Sequence, residues 1–469
     1  MFVDPIRDQF AVLESEIAAG PIFPEVTAEE IRAWLQSRYD FQQPMPLEDV
    51  VADVEAMLKK WQVQVTHPRY FGLFNPGVTL ASVLADTLVA MYNPQLANWR
   101  TSPAGNEIEL HTLAWLAARF GLPESSIATF TSGGMEANLS AVVVALTHAY
   151  PGYGESGLRS LPGEPAIYLT EEAHFGFNKI AHMTGLGRRN LRLIGTDRQL
   201  KMNVEELRSA VAQDRAAGLL PFMVVGNAGT TAAGAIDPLP ELGRFCRENG
   251  LWFHIDAAWG GAAVVSPTLR HHLAGTELAD SITCDAHKWL SVPMGCGMFF
   301  CRHPDTVAEA FRADVSYMSG KKTGPVFDPY TNSSQWSRRF IGLKLFMALA
   351  QQGEDGYAEM IGHQARMGDV LRDTLRASGW SILNSTPLPL VCFTREGLVP
   401  AEFLASLHQR QIAWMSEARV GNIAVVRACV TSYKTTERDS HWVVSEMNRL
   451  VGVKEDKQYA GMGQGRGSA

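Results

Sequence analysis

Three stretches of this chain put reactive side chains where an apolar run gives way to small residues. The first is Asp285-Ala286-His287-Lys288-Trp289, which follows the apolar run 281–284. A lysine among Trp289, Leu290, Val292 and Pro293 is costly unless it is paired or chemically used; the plainer reading is an ammonium that reaches water along its own stem. The second is Asp256-Ala257-Ala258-Trp259-Gly260-Gly261, at the end of the apolar run 252–255. Ligands of open α/β sheets bind at the carboxyl ends of strands, so Asp256 is placed to meet one; a turn-capping aspartate would look the same. The third is Thr131-Ser132-Gly133-Gly134-Met135, between an apolar run and a helical pattern. Glycines there leave backbone N–H groups open at a helix start, which suits phosphate, although an ordinary capped turn has the same composition. Together, a lysine, a carboxylate and a phosphate cradle are what pyridoxal phosphate needs. The lysine forms the Schiff base, the carboxylate keeps the pyridine nitrogen protonated, and the backbone holds the phosphate. That protonated ring is an electron sink, and each pKa unit by which a carboxylate favours it is about 1.4 kcal/mol.

Elements of a particular kind must carry these residues. Between about 69 and 345, short apolar runs at 127–130, 166–169, 191–194, 222–225, 252–255, 281–284 and 297–300 read as strands. Helical patterns at 136–149, 204–217 and 239–249 lie between several of them, which predicts βαβ crossovers and a mostly parallel sheet. Residues 1–68 read as a helical arm. Thr27 with Glu30 makes a capping box, and 47–63 is an amphipathic helix with Val50, Val54, Met57, Leu58 and Trp61 on one stripe. Residues 346–455 read as a smaller α+β domain, with helices 355–378 and 437–451 and short strands near 381–394 and 423–430. The glycine-rich end, 456–469, reads as a flexible tail. Gly152-Tyr153-Gly154-Glu155-Ser156-Gly157 fits the GxGxxG pattern, but no strand leads into it, so a loop is expected and not a dinucleotide site.

The order of these motifs resembles the group II pyridoxal-phosphate-dependent amino acid decarboxylases, which include the aromatic amino acid, histidine and glutamate decarboxylases. The resemblance runs over nearly the whole chain: His67-Pro68, Ser102-Pro103, Gly133-Gly134, His174, Ala228-Gly229-Thr230-Thr231, Asp237-Pro238, Asp256-Ala257-Ala258, His287-Lys288 and Ser337-Arg338-Arg339. It implies a fold type I pyridoxal-phosphate enzyme, similar to aspartate aminotransferase, that decarboxylates a small-molecule substrate, an L-amino acid and by expectation an aromatic one, as a homodimer with active sites at the interface. By the same resemblance Lys288 carries the cofactor, Asp256 meets the pyridine nitrogen and Ala258 packs beneath the ring. His174 stacks above the ring and helps hold the substrate carboxylate, and Thr231 lies close by. Gly133, Gly134 and the backbone of Met135 bind phosphate beside His287. The family places a catalytic tyrosine on a loop before the paired arginines. Tyr330 matches it, with Tyr317 as the alternative, and a tyrosine there favours simple decarboxylation over the aldehyde synthases that carry phenylalanine.

Other features bound the reading. A formal net charge of −8 argues against a polyanionic partner such as nucleic acid. No apolar run reaches the roughly 18–20 residues of a membrane span, and charged residues near Met1 replace the apolar stretch of a signal peptide. Six cysteines without zinc-type spacing fit a reduced, cytoplasmic protein with no metal site. Met135 and Asp285 depart from the family, which often has a hydroxyl residue and an asparagine there; Pro76 also replaces a hydroxyl residue. For the substrate, Tyr70, Phe71, Phe74 and Trp99 suit an aromatic side chain, whereas Arg100, Arg338, Arg339 and Arg427 suit an acidic one. The remaining alternatives are a carbon–carbon lyase of the same cofactor class and a non-catalytic binding protein, which the presence of Lys288, Asp256 and His174 together opposes.

Overall fold

The computed structural model describes residues 3–313 and 326–452; Tyr317 and the expected tail lie outside them. All seven expected strands form. They are β1 (Ile127–Thr131), β2 (Pro165–Thr170), β3 (Leu191–Ile194), β4 (Leu220–Asn227), β5 (Trp252–Asp256), β6 (Ser281–Asp285) and β7 (Gly297–Cys301). They make one sheet in the order β1-β7-β6-β5-β4-β2-β3. Neighbours from β6 through β5, β4 and β2 to β3 run parallel, while β7 is antiparallel to both β6 and β1. Every residue of β5, β6 and β7 is buried. That is the burial expected of strands covered by helices on both faces, and it explains why they read as continuous apolar runs.

Register decides where the chemistry collects. Asp256 at the end of β5 pairs with Asn227 on β4 and Thr283 on β6. Asp285 at the end of β6 pairs with Gly297, which also pairs with Thr131 at the end of β1. The helix Gly134–Ala149 starts at this same edge and crosses the face of the sheet. The GxGxxG stretch forms only a short helix, Tyr153–Ser156, after that long one.

The smaller sheet has the order β10-β11-β9-β8 and is antiparallel throughout, with β8 (Ser381–Ile382), β9 (Leu390–Thr394), β10 (Ser416–Val420) and β11 (Ile423–Cys429). The helix expected from 355 is longer, Leu343–Ala377, and is broken at Gly353, whose φ of 70° leaves the helical region. Its side chains change partners along its length: Leu345 to Ala365 join the core of the large sheet, whereas Met367, Leu371 and Leu375 join the core of the small one. Phe71, far upstream, also belongs to the small core. Its N–H donates to Trp414 O at 2.9 Å and its carbonyl accepts from Cys429 N at 3.0 Å.

The arm forms helices Val3–Ala19, Ala28–Arg38 and Leu47–Lys60, and none of them contains a buried residue in the single chain. The Thr27–Glu30 capping box is present. Gln411 ties the arm down by accepting from Ile22 N and Phe23 N, both at 2.9 Å. Among the described residues no helix is long and apolar enough to cross a membrane.

Candidate functional site

Lys288 follows β6 by three residues, and its Nζ lies 2.9 Å from Asp285 Oδ2. Burial opposes the ammonium charge, but Asp285 and Asp256 outweigh it and hold the Lys288 pKa above its ordinary value. Asp285 therefore neutralises Lys288 and is neutralised by it, which accommodates a carboxylate where relatives often have asparagine. His287 accepts Cys296 N–H on Nδ1 at 3.1 Å, so its proton sits on Nε2, 3.9 Å from Asp285 Oδ2. Burial lowers the His287 pKa, against the pull of Asp285.

The glycine loop stands directly over this pair. A β-carbon at Gly134 would come within 2.9 Å of Asp285 Oδ2 and 3.3 Å of Ala258 Cβ, so only glycine lets the helix start approach so closely. No side chain caps that helix start, and its first N–H groups are left for an anion. His174 and Met135 meet across Gly176, where a β-carbon would lie 2.7 Å from His174 Nδ1 and 3.0 Å from Met135 Sδ. His174 Nδ1 accepts from Gly176 N at 3.0 Å, which leaves Nε2 as the donor. The expected residues Gly133, Gly134, Met135, His174, Asp256, Ala258, His287 and Lys288 thus gather at one edge of the sheet.

Thr231 is linked to that edge through Arg427 on β11, which sequence reasoning had only grouped with other arginines. Arg427 Nε donates to Thr231 O at 2.8 Å, and Nη1 reaches Gly72 O at 3.4 Å and Ser416 Oγ at 3.3 Å. Nη2 is buried without a hydrogen-bond partner among the described residues. The guanidinium lies 4.6 Å over the ring of Phe74, which stacks on Trp259 at 4.7 Å and comes within 5.9 Å of Lys288 Nζ. Phe74 has φ 74°. That region is unfavourable for a bulky residue, and such strain concentrates at functional sites. Arg338 and Arg339 are engaged elsewhere, with Glu109 and Asp86. Of the four aromatics singled out in the sequence, Phe74 joins the site; Phe71 is core, Tyr70 packs on Trp414 and Trp99 bonds Glu107.

Tyr330 is positioned by a different set of neighbours. Its N–H donates to Ala97 O at 3.0 Å and its ring packs against Trp336 at 5.0 Å. A cavity of about 380 Å³ lined by His148, Cys246, Trp252 and Asp280 opens at the start of β5, the opposite end from Asp256.

The donor set fits pyridoxal phosphate. It offers an uncapped helix start for a phosphate, an amine for an aldehyde, and an acceptor carboxylate for a ring N–H. Buried polar atoms also remain to be satisfied, Thr283 Oγ1, Asp285 Oδ1 and Arg427 Nη2 among them.

A family model for the pyridoxal-dependent decarboxylase conserved domain matches residues 31–396. The chain is 28% identical over 465 residues to a 4-hydroxyphenylacetaldehyde synthase of Rhodiola rosea, covering 94% of this chain and 92% of that protein. It is 27% identical over 404 residues to an aromatic-L-amino-acid decarboxylase of Bacillus atrophaeus, covering 82% of each. The solved structure of Oryza sativa TDC with PLP and tryptamine matches with a TM-score of 0.90 at 24% identity, covering 96% of this chain and 97% of that one. The fold is the expected fold type I.

Proposed function

Since this chain belongs to the pyridoxal-dependent decarboxylase family, within its aromatic decarboxylase and aldehyde-synthase group, we propose that it releases CO2 from an aromatic L-amino acid and returns the amine. The observation that carries the reading is the convergence of Lys288, Asp256 and the uncapped helix start on one sheet edge. Pyridoxal phosphate, when bound, supplies an aldehyde for the amine and a conjugated ring that accepts the electron pair left by CO2. Lys288 Nζ is the amine that would hold the cofactor, and Asp285 Oδ2, at 2.9 Å, balances its charge and holds it in place. Asp256 would accept a hydrogen bond from the ring nitrogen of the bound cofactor. His174 donates from Nε2 to the substrate carboxylate and aligns the bond to be broken, so that geometry selects the reaction. Phe74 and Trp259 form an aromatic wall that excludes water and packs against the substrate ring. Tyr330 returns a proton to the carbon that lost CO2.

Lys288→Ala should abolish turnover and the borohydride-reducible imine band; retention of either sinks the assignment. Incubating the pure protein with each common amino acid, and measuring CO2, amine, aldehyde and peroxide, identifies the substrate. Aldehyde and peroxide in step with CO2 would instead assign an aldehyde synthase. Arg427 Nη2 supports a second reading, an acidic substrate, and preferential turnover of glutamate or a similar acid would establish it.

Assembly as a homodimer is part of the proposal. The helix Leu47–Lys60 leaves Leu47, Val51, Val54 and Leu58 exposed, an apolar stripe suited to a second copy. Sedimentation as a fully active monomer at nanomolar concentration would refute it. All six cysteines are free and buried, which supports a reducing, cytoplasmic setting.

A further inference from the structure

Asp256 sits at the end of a buried polar chain that none of the roles above uses. Its Oδ2 accepts from Asn138 Nδ2 at 2.9 Å, and its Oδ1 accepts from Ala258 N at 3.1 Å. Asn138 Oδ1 lies 3.0 Å from His254 Nε2, and His254 Nδ1 lies 2.9 Å from Ser281 Oγ. Ser281 Oγ also accepts from Trp252 Nε1 at 2.8 Å. His254 and Ser281 are 0% exposed, and Asn138 and Trp252 are buried, so water is not available to replace any link.

The protons in this chain can be placed by elimination. A carboxylate only accepts, so Asn138 must present its amide N–H to Asp256 and its oxygen to His254. His254 must then carry its proton on Nε2, and Nδ1 is an acceptor. Ser281 receives the indole N–H and gives its own hydroxyl proton to Nδ1. Every donor therefore points the same way: Trp252 to Ser281, Ser281 to His254, His254 to Asn138, Asn138 to Asp256. Burial keeps His254 neutral, with its pKa lowered to about 4. Phe177 packs against the imidazole in a T-shaped arrangement, with ring centroids 6.4 Å apart.

We infer that Asn138, His254 and Ser281 form a one-way hydrogen-bond chain that fixes the direction in which the Asp256 carboxylate faces its ligand. These are positioning residues, acting through Asp256. The inference rests on the reading that Asp256 meets the pyridine nitrogen. Bonds aligned in one sense polarise each other in a dry interior. Losing an inner link would free the Asn138 amide to turn, bringing oxygen against oxygen at Asp256.

The test compares purified wild type with His254→Leu, His254→Gln, Ser281→Ala and Asp256→Asn. Each is depleted of cofactor and retitrated with pyridoxal phosphate to obtain Kd, then assayed for kcat and KM, with melting of the depleted protein as the folding control. His254→Leu should weaken cofactor affinity about tenfold and lower kcat by a similar factor, with KM within about twofold; a tenfold change is about 1.4 kcal/mol. His254→Gln should recover to within about threefold of wild type, because an amide offers a donor and an acceptor across the same gap. Ser281→Ala, which changes little volume, should show the same sign at about threefold, and it reports on the chain if His254→Leu does not fold. Wild-type Kd and kcat in both His254→Leu and Ser281→Ala, alongside losses in Asp256→Asn, would overturn the chain and leave the parent reading intact. Wild-type behaviour of Asp256→Asn would overturn the parent reading itself.

Discussion

Two buried arginines hold opposite positions in this molecule. Arg338, between the large sheet and the helix Leu343–Ala377, is 3% exposed, and its Nη2 lies 2.9 Å from Glu109 Oε2 and 3.0 Å from Phe130 O. Glu109 is satisfied in turn by Gly342 N at 2.8 Å. Arg427, on β11 beside Phe74, is also 3% exposed, yet its protein partners are carbonyls, a hydroxyl and an aromatic face. The first cation is paired inside the fold with a carboxylate, although its Nε is, like Arg427 Nη2, buried without a hydrogen-bond partner among the described residues. The second is surrounded by dipoles, and among the described residues no carboxylate pairs with it, while its Nη2 is buried without a hydrogen-bond partner. A buried charge with its counter-charge built in contributes to the fold; one without it is costly to bury, and the proposed acidic-substrate reading would supply the missing charge.

Breaking the first arginine should have the largest effect. Arg338→Met leaves Glu109 as an uncompensated buried charge and should cost about 3–5 kcal/mol of stability, read from the urea midpoint. Arg338→Met combined with Glu109→Leu should recover most of that loss. Arg427→Met should do the reverse, lowering kcat/KM about a hundredfold, or 2.7 kcal/mol, while the unfolding free energy moves by less than about 1 kcal/mol. Equal stability losses at the two sites would erase the distinction.

A third test extends the contrast to a neutral buried group near the ligand. The His254 pKa falls from 6.5 to about 4 through burial, so between those values the unfolded chain binds a proton that the native chain does not. Stability should therefore rise with pH across that window and be lost as pH falls through it, with on the order of 3 kcal/mol from this residue. His254→Gln should flatten that acid limb. His67, lowered to about 4 mainly by burial, is the control: His67→Gln should flatten the limb without changing cofactor affinity. The smallest effect is expected from Phe74→Leu. It removes the stack on Trp259 and the Arg427 contact, about 0.5–1.5 kcal/mol, and should raise KM for an aromatic substrate a few-fold.

Local pattern alone carried the seven strands, the helices near 136–149, 204–217, 239–249, 355–378 and 437–451, and the placing of Lys288, Asp256 and Gly134 at element ends. Each depends on neighbours a few residues away, and buried parallel strands write themselves as apolar runs. The helices Gly176–Met183, Pro304–Ala310 and Pro400–Gln409 were not read. The helix Leu80–Tyr92 was not read because it is apolar on nearly every side and shows no amphipathic period. The break at Gly353 was missed because one glycine in a helical pattern does not announce a kink.

The deeper parts of the site are different in kind. Asn138 meets Asp256 across 118 positions, and Arg427 meets Thr231 across 196. Nothing local marks Asn138 as a partner of Asp256, or separates Arg427 from the surface arginines. Which side chains become buried neighbours depends on strand order and register, and those follow from how the whole core packs. Residue types along the chain were sufficient to say that a lysine, a carboxylate and a phosphate cradle are present. Only the assembled sheet decided that they share one edge, that Asp285 neutralises Lys288, and that one buried arginine has no counter-charge among the described residues.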